Sequence, residues 1–355
     1  MSLTGSSRIV LATLAVATLT AGLHTPVSAQ ATTALRGSTA AAHPPANVAA
    51  ARAAGADYLT VAQLRAKYRD RAGRIATIKG VEIYYKDEGK GPVLLMVHGS
   101  TSSLRTWDVI VDRLKSRYRI IRYDVAGAGL SGSISDEAAA NVAPVDIATG
   151  LLDTLGVRKV TYVGVSSGGT LGMFLAAKRP DMVERLILSN TPSDRVTYGH
   201  MAQPAGFLKA QEDAKKAGGF QARPFWDAYL SYFAGDPARF STKLRDEYYD
   251  LNRRVPEKHP LALIAQIGDG VVANQLMAQV VAPTLLIWGG QDRLLTVPAM
   301  HSLAKHLEKA EVSEFVMPDV GHYPPVEAPE RFAQLVAAYV EAVVPQRPVP
   351  VQAVP

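Results

Sequence analysis

Short apolar runs alternate with helix-prone segments over residues 74–345. Residues 92–97 (P-V-L-L-M-V), 118–124, 159–165, 185–190, 283–290 and 311–317 are rich in Val, Ile, Leu and Tyr and read as strands, most of them buried on both faces. Residues 74–88 read as two more strands around a Lys79-Gly80 turn. Between the runs, residues 104–116, 142–156, 170–178, 300–308 and 329–344 carry helical spacing. Residues 58–71 predict a short amphipathic helix capped by Thr60, with Gln63 three positions on. Strands alternating with helices imply a mostly parallel eight-stranded α/β sheet, flanked by helices on both faces. Residues 191–282 break the rhythm. They carry Trp226, much of the Tyr and Phe, and short helical patterns such as 224–233, and read as a helical insertion after the sixth strand. The expected core is therefore 58–190 with 283–345, and the expected insertion is 191–282.

The ends differ in character. Residues 1–29 read as a signal peptide: Arg8, then an apolar stretch of about 15 residues, short of the ~20 of a spanning helix, then small residues before a cut ahead of Gln30. An uncleaved N-terminal membrane anchor is the alternative. Either way the working domain is expected outside the cytoplasm, secreted or periplasmic. Residues 30–57 read as a flexible Ala/Thr/Pro-rich linker, and 346–355 as a frayed Pro-rich tail.

Charge changes little. The net +6 has no dense basic run, and the cluster Arg65, Lys67, Arg69, Arg71 and Arg74 is interrupted by acids and apolar residues, as on a solvated helix face. The expectation is no nucleic-acid partner, and no membrane partner once the signal is removed. With no cysteine, a thiolate nucleophile, a disulfide and a Cys-based metal site are excluded. Gly127, Gly129 and Gly132 spell G-x-G-x-x-G, but residues 133–137 (S-I-S-D-E) look loop-like where a dinucleotide site needs a helix. Tight-turn glycines are the preferred reading, and no cofactor or metal is expected.

The chemistry centres on residues 159–170 (K-V-T-Y-V-G-V-S-S-G-G-T). A strand runs into G-x-S-x-G and then a helix, the setting of a nucleophile elbow. The positions two before and two after the nucleophile must be small for strand and helix to approach. Gly164 and Gly168 flank Ser166 in that way, whereas Ser167 would have Val165 on one side.

A serine needs a base, and the base needs an orienting acid. Of eight histidines, His322 lies in the loop between the last strand and last helix, where such groups gather. Asp292 follows the strand at 284–288 within W-G-G-Q-D-R and is the expected acid; Asp194, just after the 185–190 strand, is the runner-up. The oxyanion donors are expected to be the backbone N–H groups of Ser167 and Ser100, with Thr101 as a near alternative.

The blocks H-G-S-T-S-S-L-R-T-W, R-Y-D-V-A-G-A-G-L-S, G-V-S-S-G-G, W-G-G-Q-D and V-G-H-Y-P-P-V-E-A-P-E, in that order, resemble the α/β-hydrolase fold family over roughly residues 74–345. The similarity is to the branch holding esterases, enol-lactonases, C–C bond hydrolases, cofactor-free haloperoxidases, dehalogenases and epoxide hydrolases. It implies that 191–282 is a cap walling the substrate pocket. Serine in place of an Asp nucleophile argues against the last two chemistries. The expectation is a serine esterase acting on a small-molecule carboxylic ester, lactone or thioester through an acyl-enzyme. The alternatives are a haloperoxidase or perhydrolase, a C–C bond hydrolase, and, least favoured, a non-catalytic ligand-binding module. A cap rich in Tyr, Phe and Ala suits a mid-sized apolar or aromatic acyl group.

Overall fold

The computed structural model describes residues 48–53, 55–194, 201–259 and 270–343. The expected signal, most of the linker and the tail lie outside them. Eight strands form one sheet: β1 (Gly73–Ile78), β2 (Val81–Glu88), β3 (Val93–Val97), β4 (Arg119–Tyr123), β5 (Val160–Val165), β6 (Val183–Ser189), β7 (Thr284–Gly289) and β8 (Val312–Met317). Their order is β1-β2-β4-β3-β5-β6-β7-β8. β2 runs antiparallel to both neighbours, and the remaining pairings are parallel. Lys79 and Gly80 both have positive φ (47° and 81°), which lets a two-residue turn follow the strand twist between β1 and β2.

The period-2 rule explains the two cores. Leu95, Val97, Tyr162, Leu286 and Trp288 face one side of the sheet; Leu94, Met96, Val163, Leu285 and Ile287 face the other. The first side is covered by α5 (Pro144–Thr154), α6 (Ser167–Lys178) and α11 (Val297–His306); the second by α3 (Asp108–Leu114) and α13 (Pro329–Glu341). All six residues of β5 and of β7 are buried, as strands sandwiched by helices require. Edge strand β8 instead exposes Ser313, Glu314 and Phe315.

The segment between β6 and β7 holds α7 (Ala205–Lys216), α8 (Arg223–Phe233), α9 (Thr242–Asn252) and α10 (Gly270–Met277). Helices α7 and α8 share an aromatic core of Phe207, Phe225, Trp226, Tyr232 and Phe233. Helix α10 departs from the expected cap boundary at 282: Ala273 and Met277 are buried in the main core, against α6. Its apolar face is therefore claimed by the sheet layer.

Three local features also differ from the sequence reading. Within the expected linker, residues 48–53 form α1 (Val48–Ala53), whose Ala51 is buried and closes on Gly218 in the segment between β6 and β7. In the stretch read as loop, Ser135 caps α4 (Asp136–Asn141) by accepting from the Ala138 N–H, with Asp136 and Glu137 in the first turn favoured by the helix dipole. The apolar spacing at 104–116 begins as a 3₁₀ turn, Leu104–Trp107, before α3. The expected cap of α2 (Val61–Tyr68) does form: Gln63 N–H donates to Thr60 Oγ1 and Thr60 N–H donates back to Gln63 Oε1. Lys67 and Tyr68 at its end both donate to buried Asp250 on α9, tying the N-terminal segment to the insertion between β6 and β7. Among the described residues, no helix is long and apolar enough to cross a membrane.

Candidate active site

Three strand ends and one loop meet at the carboxyl edge of the sheet. β5 delivers Ser166, with φ 53° and ψ −129°. That positive φ is strained for a residue with a Cβ and is the hallmark of a sharp strand-to-helix elbow. The flanking glycines are needed for room. A Cβ on Gly164 would sit 2.7 Å from the Gly168 carbonyl oxygen, and one on Gly168 would sit 2.4 Å from the His98 carbonyl oxygen. The turn is pinned by the Ser166 N–H donating to Ser189 O (2.9 Å) and the Tyr162 hydroxyl donating to Gly168 O (2.6 Å).

The loop after β3 passes against the elbow. A Cβ on Gly99 would lie 2.8 Å from Ser166 Cβ, so only glycine allows this approach. Beyond it, the hydroxyls of Ser100 and Ser167 are 2.9 Å apart, so the two residues expected to supply oxyanion donors are neighbours. Thr101 follows with φ 57°.

His98 anchors this loop. Its ring is buried, Nδ1–H donates to Gly99 O (2.7 Å), and Nε2 accepts from the Val125 N–H (3.0 Å). Those partners need the neutral ring. Burial pushes its pKa below the usual value, against the opposing pull of Asp124, 3.9 Å away, and of the Gly99 carbonyl. The unfolded chain therefore binds the extra proton first. The His98 contribution to stability is complete above about pH 6.5 and is lost as pH falls toward the depressed folded value. At about pH 6, where a free imidazole is largely charged, the ring nitrogens of His98 should still show the neutral Nδ1–H pattern in a ¹⁵N NMR spectrum.

Asp124 is itself held by the N–H groups of Leu104 and Leu130, both at 2.7 Å. The glycine-rich loop wraps this carboxylate: a Cβ on Gly129 (φ 50°) would fall 2.2 Å from Asp124 Oδ2. The G-x-G-x-x-G spacing thus serves a tight turn around Asp124.

Asp292 and His322 are joined. Asp292, in the loop after β7, accepts from His322 Nδ1 at 2.7 Å through Oδ2, and both side chains are buried. Asp292 Oδ1 accepts from the Leu294 and Leu295 N–H groups (2.7 and 3.0 Å). With Nδ1 committed, Nε2 is the nitrogen left for proton transfer. Among the described residues, the Ser166 hydroxyl makes no hydrogen bond to His322. Such contacts are often long or misaligned without substrate and tighten in the reacting complex.

Asp194, the runner-up acid, lies elsewhere. It accepts from Ser302 Oγ (2.7 Å) and Ser193 Oγ (2.9 Å) and pairs with His306 (3.0 Å). Partial burial pushes its carboxyl up, but these partners together hold it below the usual range.

Two residues at the site were not singled out from sequence. Asn190, at the end of β6 with φ 42°, donates from Nδ2 to Asp292 Oδ2 (2.5 Å) and accepts from the Gly289 N–H (3.2 Å). It links the elbow's strand neighbour, Ser189, to Asp292. Glu327, on the short helix α12 (Pro324–Glu327), is fully buried and accepts from the N–H groups of Gly321, Tyr323, Gly235 and Asp236. It clamps the His322 loop to the segment after α8, and the His322 N–H donating to Phe233 O (2.8 Å) adds to that clamp. Position at a strand end was the available signal for Asn190; for Glu327 only the local V-E-A-P-E block was visible.

With this geometry in hand, comparison with known proteins defines the class. A model of the alpha/beta hydrolase fold matches residues 92–329, and the chain belongs to that family of hydrolases. It is 27% identical over 274 residues to a 2-hydroxymuconate semialdehyde hydrolase of Pseudomonas putida, covering 74% of this chain and 92% of that protein. It is 29% identical over 278 residues to a 3-hydroxybutyrate-oligomer hydrolase of Cupriavidus necator, covering 70% and 88%. The crystal structure of an enol-lactonase from Burkholderia xenovorans LB400 superposes with a TM-score of 0.59 at 22% identity, covering 76% of this chain and all of that one.

Proposed function

We propose that this protein is a serine hydrolase of small carboxylic esters or lactones, with Ser166 as nucleophile, His322 as base and Asp292 as orienting acid. The observation that carries the reading is the buried Asp292–His322 pair, which Asn190 ties to the end of β6, together with a positive-φ serine at the end of the adjoining β5, given room by its flanking glycines. Ser166 Oγ attacks the acyl carbon while His322 Nε2 takes its proton. Asp292 holds the tautomer with Nδ1–H and stabilises the imidazolium. The tetrahedral oxyanion is received by the N–H groups of Ser167 and Ser100. The alkoxide leaves with the proton from His322, and water repeats the sequence to free the acid and the serine. Release of p-nitrophenol from short- and medium-chain esters, and opening of small lactones, test the reading. Turnover of neither by folded protein would remove it.

A second reading has a specific observation behind it: the relative from Pseudomonas putida is named for 2-hydroxymuconate semialdehyde. The same catalytic groups would then serve cleavage beside a carbonyl. Loss of that compound's absorbance on mixing, faster than any ester is cleaved, would favour it.

Asn190 is a positioning residue in this scheme. Asn190→Ala leaves the Gly289 N–H without its partner and frees Asp292 on one side. Losing a buried charge-assisted bond of about 1.5–3 kcal/mol predicts a fall in kcat of roughly tenfold or more, with KM changing less. A kcat equal to wild type would show that Asp292 needs no such support. We also propose that the chain is exported and cut before Gln30; N-terminal sequencing of protein from the culture medium or periplasm should begin there.

A further inference from the structure

Thr101 carries a strain of its own, three residues past the end of β3 and its buried core. Its φ of 57° is left-handed, and a β-branched residue keeps that conformation only where its surroundings impose it. The loop on either side is fixed from the sheet. His98 Nε2 accepts from the Val125 N–H before it, and the Leu104 N–H donates to Asp124 after it. At Thr101 the partners come from the insertion between β6 and β7 instead. Asn252 Nδ2, at the end of α9, donates to the Thr101 carbonyl oxygen at 2.8 Å. The Tyr248 hydroxyl, one helical turn earlier, lies 3.0 Å from Thr101 Oγ1, and that of Tyr229 on α8 stands further off at 3.4 Å. The Thr101 proton is engaged by the Ser100 carbonyl oxygen at 2.6 Å, so Tyr248 is the donor. Burial raises the Tyr248 hydroxyl well above the usual phenol range and keeps its proton in place.

Helix α9 is a firm support for this hold. Tyr248 and Asn252 are four positions apart and share one helix face. Asn252 Nδ2 also donates to the Tyr248 carbonyl oxygen at 2.8 Å, so the amide bridges helix end and loop with both its hydrogens. The helix end is tied down outside the insertion. Asp250 accepts from Lys67 and Tyr68 of α2, and Arg254, just beyond α9, donates to the carbonyl oxygens of Gly129 and Ser131 at 3.1 and 2.7 Å. Ser100 sits between two pinned neighbours. Gly99 packs on the elbow, where even a Cβ would lie 2.8 Å from Ser166 Cβ, and Thr101 is held by α9. The peptide planes on both sides of Ser100 are thereby set, with its hydroxyl 2.9 Å from that of Ser167.

We propose that Asn252 and Tyr248 are positioning residues of the oxyanion site: by holding Thr101 left-handed they set the direction of the Ser100 N–H. The proposal rests on the hydrolase reading above and names two residues of the insertion on which its chemistry depends. An oxyanion donor acts only when it is aimed at the place where charge develops. Loosening the loop therefore weakens transition-state binding and leaves ground-state binding alone, so kcat falls while KM holds.

The test measures kcat and KM for p-nitrophenyl butanoate. Asn252→Leu removes the donor and keeps the bulk; Tyr248→Phe keeps the ring. Each should lower kcat by about fivefold or more with KM within about twofold of wild type. In a Thr101→Gly background the Tyr248 hydroxyl has no side chain to hold, so adding Tyr248→Phe should cost less than about twofold. A kcat within about twofold of wild type in both single variants, or a Tyr248→Phe loss undiminished in Thr101→Gly, would overturn the proposal and leave the hydrolase reading intact. If wild type cleaves no ester, the hydrolase reading fails separately. The hold is then judged by a crystal structure of the Tyr248→Phe, Asn252→Leu double variant: Thr101 at negative φ supports it, and Thr101 still near 57° overturns it.

Discussion

Ser166→Ala is expected to lower kcat toward the best ester by at least about 10³-fold, with little change in thermal stability. The alanine keeps the Cβ at positive φ, so the strain and the elbow's hydrogen bonds through Ser166 N–H and O persist. Only the attacking oxygen is lost. The Ser167 and Ser100 N–H groups proposed to receive the oxyanion remain, which is why a residual rate above background is expected. Initial rates beside matched melting curves check this. A variant with near wild-type turnover would mean that another group attacks.

Asp292→Asn should be as damaging, approaching a 10⁴-fold fall in kcat. Both carboxylate oxygens of Asp292 are fully used: Oδ2 by His322 and Asn190, Oδ1 by two backbone N–H groups. An amide has one acceptor oxygen, so whichever way it turns, its NH₂ faces donors. Kept on the Leu294 and Leu295 amides, the oxygen leaves NH₂ pointing at His322, which selects the tautomer that cannot take a proton at Nε2. The expected signature is a kcat that recovers as pH rises and hydroxide replaces the base. An effect under about tenfold would detach Asp292 from the chemistry. Asp194 would be a poor replacement, being engaged with Ser302 and His306.

The strands were readable because a sheet covered on both faces forces continuous apolar runs, and β3, β5 and β7 are such runs. The elbow at Ser166 was readable because Gly164 and Gly168 flank it in sequence; the constraint on Gly164 is local, against Gly168 and Gly169, whereas that on Gly168 comes from the Val97 and His98 carbonyls at the end of β3. The pairing of His322 with Asp292 was foreshadowed by position alone, as side chains in loops after strands. Asn190 and Glu327 were not, because their partners are distant along the chain: Asp292 lies 102 positions from Asn190, and Gly235 lies 92 positions from Glu327. Nothing in local spacing announces such bonds. Helix α10 shows the same limit. Its apolar residues suit a cap or a core equally, and only tertiary contact with α6 decides between them.

Reaction with a fluorophosphonate probe, followed by peptide mass spectrometry, addresses the nucleophile without any choice of substrate. Phosphonylation requires a serine activated by a nearby base, so wild type should carry one adduct, on the peptide containing Ser166. That adduct should be absent in Ser166→Ala and should form far more slowly in Asp292→Asn. Folded wild-type protein that takes up no probe, or takes it up on a different serine, would show that Ser166 is not the activated nucleophile.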